Sequence, residues 1–120
     1  MAKKTILITE DEELLSQVYK DSLEKDGYEV LIAEDGATAL NLVNIKKPDL
    51  VIIDIKLPDM DGLELLEELR TKFPDLPIIM CSAYDTYRVE YEVWSSKISD
   101  YIVKPVSLEE LKLKIKKILG

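Results

Sequence analysis

Four short stretches hold the residues able to do chemistry, each a polar group closing a short apolar run. Glu10-Asp11 comes just after Ile6-Leu7-Ile8, and Asp54 follows Leu50-Val51-Ile52-Ile53. Ser82-Ala83 follows Pro77-Ile78-Ile79-Met80-Cys81, and Lys104-Pro105 follows Tyr101-Ile102-Val103. Three carboxylates gathered in one place repel at neutral pH and call for a cation. An all-oxygen set with room for water favours Mg²⁺, with Mn²⁺ as a substitute, over zinc. Lys104 adds a second positive charge. Two unit charges about 4 Å apart are worth roughly 4 kcal/mol at an effective dielectric near 20. A cation and a lysine together offset the cost of bringing a phosphoryl dianion to a carboxylate. Asp54 is then the candidate nucleophile, because a carboxylate can take a phosphoryl group as an acyl phosphate. The Ser82 hydroxyl and backbone N–H groups would hold the phosphoryl oxygens. Histidine is absent, so the phosphoryl group must come from outside the chain. The same absence excludes histidine metal ligation and Ser–His or Cys–His catalysis.

The elements that must position these groups alternate. Short apolar runs at Thr5-Ile6-Leu7-Ile8, Val30-Leu31-Ile32-Ala33, Leu50-Val51-Ile52-Ile53, Pro77-Ile78-Ile79-Met80-Cys81 and Tyr101-Ile102-Val103 read as strands. The second, with polar flanks, is expected at an edge. Between them lie amphipathic stretches. In 12–25, Leu14, Leu15, Val18, Ser22 and Leu23 recur at helical spacing before Gly27. In 37–46, Leu40, Val43 and Ile45 mark a helix that must end before Pro48. Leu63, Leu66, Leu69 and Phe73 mark a third, and 84–96 a fourth with weaker periodicity. Ser107-Leu108-Glu109-Glu110 is a capping box opening the last, with a stripe of Leu108, Leu111, Ile115, Ile118 and Leu119. Five βα units with fully apolar strands imply a parallel sheet covered on both faces. Ligands of such sheets bind outside the strand carboxyl ends, at the switch point in strand order. With order 2-1-3-4-5, the first and third strands are neighbours there, and Glu10, Asp11 and Asp54 converge.

These motifs, in order and at suitable spacing, resemble the receiver domains of response regulators. The residues that carry the likeness are Ile6-Leu7-Ile8-Thr9-Glu10-Asp11-Glu12, Asp54-Ile55-Lys56-Leu57-Pro58-Asp59-Met60-Asp61-Gly62, Ser82-Ala83-Tyr84 and Asp100-Tyr101-Ile102-Val103-Lys104-Pro105. The resemblance spans nearly the whole chain and implies a flavodoxin-like (βα)5 sandwich, with residues 1–120 as a single receiver domain. It implies that Asp54 is the phosphoacceptor, and that Asp11, Glu10, Asp54 and the Lys56 carbonyl hold Mg²⁺. Ser82, Ala83, the Lys56 amide and Lys104 would bind phosphate, Ser82 and Tyr101 would form a switch pair, and Lys104-Pro105 would be a cis peptide. The donor would be a phosphohistidine on a histidine kinase or phosphotransfer protein. The output would be protein contact, through the face of the fourth helix, fifth strand and fifth helix, or phosphotransfer onward. The domain would work as a signalling switch with slow self-dephosphorylation rather than as a turnover enzyme, as a monomer or weak homodimer.

The chain departs from the family pattern at three places. Glu10 stands where aspartate is commoner, and Thr9 where an apolar residue is usual. Lys97 occupies a position commonly glycine, often a left-handed helix cap, which costs a lysine roughly 1 kcal/mol. An irregular or mobile segment around the fourth helix is therefore expected. Two other functions compete: a phosphorylation-independent pseudo-receiver, and a phosphohydrolase using Asp54. The second needs another acid near the nucleophile, where Asp54-Ile55-Lys56 supplies a lysine. Tyr84, Tyr87, Tyr91 and Trp94 are divided between core packing and a partner surface. Glu12 and Glu13 read as solvated first-turn charges, and Cys81 as a buried small apolar residue. A net charge of −8 argues against nucleic acid as a direct partner. Lys112, Lys114, Lys116 and Lys117, the one basic cluster, read as the wet face of the last helix. No apolar run approaches a membrane span, and cytoplasmic residence is the expectation.

Overall fold

The structure is a computed structural model that describes residues 3–82 and 97–120. Five parallel strands form one sheet in the order β2-β1-β3-β4-β5. They are β1 (Thr5–Thr9), β2 (Glu29–Ala33), β3 (Leu50–Asp54), β4 (Ile78–Ser82) and β5 (Asp100–Val103). Four described helices connect or follow them: α1 (Glu13–Lys25), α2 (Gly36–Lys46), α3 (Gly62–Lys72) and the C-terminal α4 (Leu108–Leu119). The expected helix over 84–96, its aromatic residues and Ala83 lie outside the described residues.

Strand alternation divides the core in two. Leu7, Val51, Ile53, Ile78 and Met80 point to one face and pack with Val43 of α2 and Leu65, Leu66 and Leu69 of α3. Ile6, Ile8, Ile52, Ile79 and Ile102 point to the other and meet Tyr19 and Leu23 of α1 and Leu111 and Ile115 of α4. β3 and β4 are buried along their whole length, and β2 is the expected edge.

Two helix faces differ from the sequence expectation. On α1, Leu14 is 85% and Val18 50% exposed, while Ser16, Tyr19 and Leu23 are buried and Leu15 is partly so. The stretch carries two seams at helical spacing, Leu14–Val18 and Leu15–Tyr19–Leu23. The longer one, with an aromatic ring, covers more of the sheet. On α2, Ile45 faces outward and Ala39 packs inward, because a small residue lets the helix lie close to the sheet.

Caps set the helix starts. The Asp35 carboxylate accepts from Thr38 N–H (2.7 Å), Asp61 from Leu63 N–H (2.8 Å), and the Ser107 hydroxyl from Glu110 N–H (3.4 Å). α2 ends on Lys47 in the left-handed region (φ 48°), before Pro48. Lys97, the first described residue after Ser82, is held by side chains of α3: the Arg70 guanidinium donates to its carbonyl (3.0 and 2.7 Å) and Glu67 pairs with its ammonium. Arg70 also donates to the carbonyls of Phe73, Pro74 and Leu76, so one guanidinium joins the turn between α3 and β4 to the chain before β5.

Candidate phosphoacceptor site

Register places the site. β1 and β3 run level through Thr9↔Ile53, so Glu10 and Asp54 stand side by side one step further on. β3 and β4 pair Asp54 with Cys81, and β4 and β5 pair Ser82 with Val103, which brings Ser82 and Lys104 to the same rim. Glu10 (4%), Asp54 (6%) and Ser82 (2%) are buried, and Asp11 is exposed.

Glu10, Asp11 and Asp54 each offer a carboxylate oxygen within 4.8 Å of the others. The Lys104 ammonium pairs with Asp54 Oδ2 and lies 3.6 Å from Glu10 Oε1. Lys56 N–H donates to Asp54 Oδ1 (3.1 Å), and Glu12 N–H to Glu10 Oε2 (3.2 Å). Above the carboxylates opens a cavity of about 340 Å³ lined by Asp11, Glu12, Asp54, Ile55, Lys56, Ser82 and Lys104. The Lys104–Pro105 peptide is cis. Tyr101 is half-buried on β5, with the Lys114 ammonium 5.4 Å from its ring centroid.

Gly62 allows α3 to begin against the end of β3. A Cβ there would lie 2.6 Å from the Asp54 carbonyl oxygen and from Ile55 Cα. The Gly62 N–H donates to the Ile55 carbonyl (2.6 Å), closing the loop that carries Lys56.

Burial pushes the Glu10 carboxyl up to about 7, the Asp54 charge adds to the rise, and the Glu12 amide and Lys104 oppose it. Burial pulls Lys104 down, but the hydrogen bond and charge of Asp54 more than reverse this and leave it raised. Buried carboxylates with one ammonium between them lack positive charge. The donor set is all oxygen and suits a hard divalent cation, so this cluster can hold a metal ion.

The structure thus brings Glu10, Asp11, Asp54, Lys56, Ser82 and Lys104 together, while Tyr101 stands on the neighbouring edge strand. Glu12, expected as a solvated charge, is exposed and also lines the cavity, while sequence reasoning passed over Tyr19, whose ring sits below it against Cys81. The Leu15–Tyr19–Leu23 spacing was the available signal for Tyr19. Cys81 is the buried thiol expected, pushed up to about 12 by burial.

A doubly wound parallel sheet whose charged residues gather at the strand carboxyl ends defines an α/β ligand-binding class with its site at the switch point. Within that class, the response regulator receiver domain family matches residues 6–116, and the chain belongs to it. The transcriptional regulatory protein TcrX of Mycobacterium tuberculosis is 33% identical over 96% of this chain and 49% of its own length. The alkaline phosphatase synthesis regulator PhoP of Bacillus subtilis is 36% identical over 97% of the chain and 48% of its own. The chain therefore spans about half the length of the sequence relatives it matches. Among solved structures, the Thermotoga maritima response regulator TrrA, in complex with Mg²⁺–BeF, has a TM-score of 0.88 at 40% identity, covering 97% of this chain and 99% of that one. A CheY-like receiver from Methanospirillum hungatei has a TM-score of 0.89 at 35% identity, covering 97% and 93%.

Proposed function

We propose that this domain is the phosphoacceptor switch of a two-component or phosphorelay pathway, with Asp54 as acceptor. The observation that carries the reading is the Asp54 carboxylate, buried between Glu10 and the Lys104 ammonium at the mouth of an open cavity. Glu10, Asp11, Asp54 and the Lys56 carbonyl would hold Mg²⁺. When bound, the ion neutralises the carboxylates and the incoming phosphoryl oxygens.

An Asp54 carboxylate oxygen attacks phosphorus, the P–N bond of a partner's phosphohistidine breaks, and its electron pair leaves on the imidazole nitrogen. Lys104, raised and fully charged, moves from the carboxylate to a phosphoryl oxygen. The Ser82 hydroxyl and the Ala83 and Lys56 amides hold the other oxygens. Drawing Ser82 inward frees space that the Tyr101 ring follows, which alters the surface around β5. The partner upstream is a histidine kinase or phosphotransfer protein, and the output is contact with another protein. The charge of −8 disfavours nucleic acid as a partner of this domain itself. Residues 1–120 would act as one receiver, with slow hydrolysis of the acyl phosphate and cytoplasmic residence.

The test is incubation with Mg²⁺ and acetyl phosphate, read by intact mass. Wild type should gain one phosphoryl group, and Asp54→Ala or excess EDTA should abolish the gain. Unchanged uptake in Asp54→Ala would remove the reading. Rapid multiple turnover of phosphate esters would replace it with a phosphohydrolase.

A further inference from the structure

The loop between β3 and α3 carries Lys56, and its far shoulder is fastened to an element outside the site. The Asp59 carboxylate accepts from Gly36 N–H (2.8 Å, Oδ1) and from Ala37 N–H (3.0 Å, Oδ2), the first two amides of α2. α2 has its own cap in Asp35, which takes the third amide, Thr38. Asp59 therefore completes the first turn of a helix more than twenty residues away in sequence. Met60 lies directly over Gly36, where a Cβ would collide with its Sδ, Cγ and Cε atoms. At its other end the loop is pinned by the Lys56↔Asp61 bridge and by the Gly62 bond to the Ile55 carbonyl. Lys56 is held between these fastenings, with its amide on Asp54, and lines the same cavity as Asp11 and Asp54.

We infer that Asp59 is a positioning residue for the metal: its clasp on α2 holds the loop where the Lys56 carbonyl can join Glu10, Asp11 and Asp54. The inference rests on the proposed metal site. A carboxylate accepting two amides at a helix N-terminus makes charge-assisted bonds that also gain from the helix dipole. An amide or alanine at position 59 weakens or removes them and lets the loop drift from α2. Coupling of this kind is reciprocal. If the clasp strengthens Mg²⁺ binding, Mg²⁺ must tighten the clasp and shield the Gly36 and Ala37 amides from solvent. Thr38, held by Asp35 within its own segment, should respond far less.

Calorimetric titration with Mg²⁺ and amide hydrogen exchange test this on the whole chain. Asp59→Ala should raise the Mg²⁺ Kd roughly three- to tenfold, below the 10–100-fold typical of a group bonded to a metal ligand. Asp59→Asn, which keeps an acceptor oxygen, should fall between it and wild type, and covers the case in which the alanine variant fails to fold. In wild type, Mg²⁺ should slow exchange at Gly36 and Ala37 more than at Thr38, and Asp59→Asn should shrink that difference. Equal Kd in wild type and both folded variants, or equal slowing at all three amides, overturns the inference and leaves the metal site standing. Failure of wild type to bind Mg²⁺ overturns the site reading as well.

Discussion

At the scale of single residues, Glu10 has the clearest consequence. Its folded carboxyl titrates near 7, above the ordinary 4.5, so the folded metal-free protein binds a proton more tightly than the unfolded chain. The stability this contributes is fully present below about 4.5 and is lost as pH rises through 7. Urea unfolding in EDTA should therefore give a midpoint that falls between pH 5 and pH 8 in wild type, and falls distinctly less in Glu10→Gln. Saturating Mg²⁺ should flatten the wild-type slope by discharging the cluster without protons. The acidic groups, the hydroxyl and the lysine were legible because each closes an apolar run, and a strand end in a parallel sheet is where such groups meet. Asp59 was not legible as a partner of Gly36 and Ala37. Nothing in local spacing records which distant helix a loop carboxylate will reach.

At the scale of elements, the sequence named nine segments that the structure describes, but on α1 it joined the outward Leu14 and Val18 to the inward Leu15 and Leu23 and left out Tyr19. Periodicity fixes that a helix is amphipathic, and it cannot rank two overlapping seams when both hold apolar residues. Leu23→Ala should cost about 2–5 kcal/mol, because the side chain is fully buried between α1 and the sheet. Leu14→Ser, on the outward seam, should stay within about 0.5 kcal/mol of wild type by the same urea assay. The end of α3 supplies a second case. Arg70 satisfies four carbonyls with five hydrogen bonds, so Arg70→Ala should cost about 2–3 kcal/mol. Arg70→Lys should recover only part of it, since a lysine cannot reproduce the planar fork. The same contacts give lysine a role at position 97: its carbonyl accepts from Arg70 and its ammonium pairs with Glu67.

At the scale of the whole molecule, the two cores share one sheet, and the acidic cluster sits at the end of the strands that separate them. Ion binding at the proposed site would thereby be linked to global folding. At a Mg²⁺ concentration about a hundredfold above Kd, the gain should be about 2.7 kcal/mol, about 10 °C in Tm for a domain of this size. Asp54→Asn, which removes one charge from the cluster, should show a much smaller rise on adding Mg²⁺ in scanning calorimetry. Strand order and burial of both faces were legible because an all-parallel (βα) alternation leaves few arrangements.

Cys81 is the only cysteine in the chain and is 5% exposed, paired in register with Asp54 and packed against the α1–α4 core. A thiol placed there cannot meet a bulky alkylating reagent while the central strands stay zipped. Its labelling rate therefore counts the excursions in which the sheet parts, and makes the native sequence its own stopwatch for opening without any engineered probe.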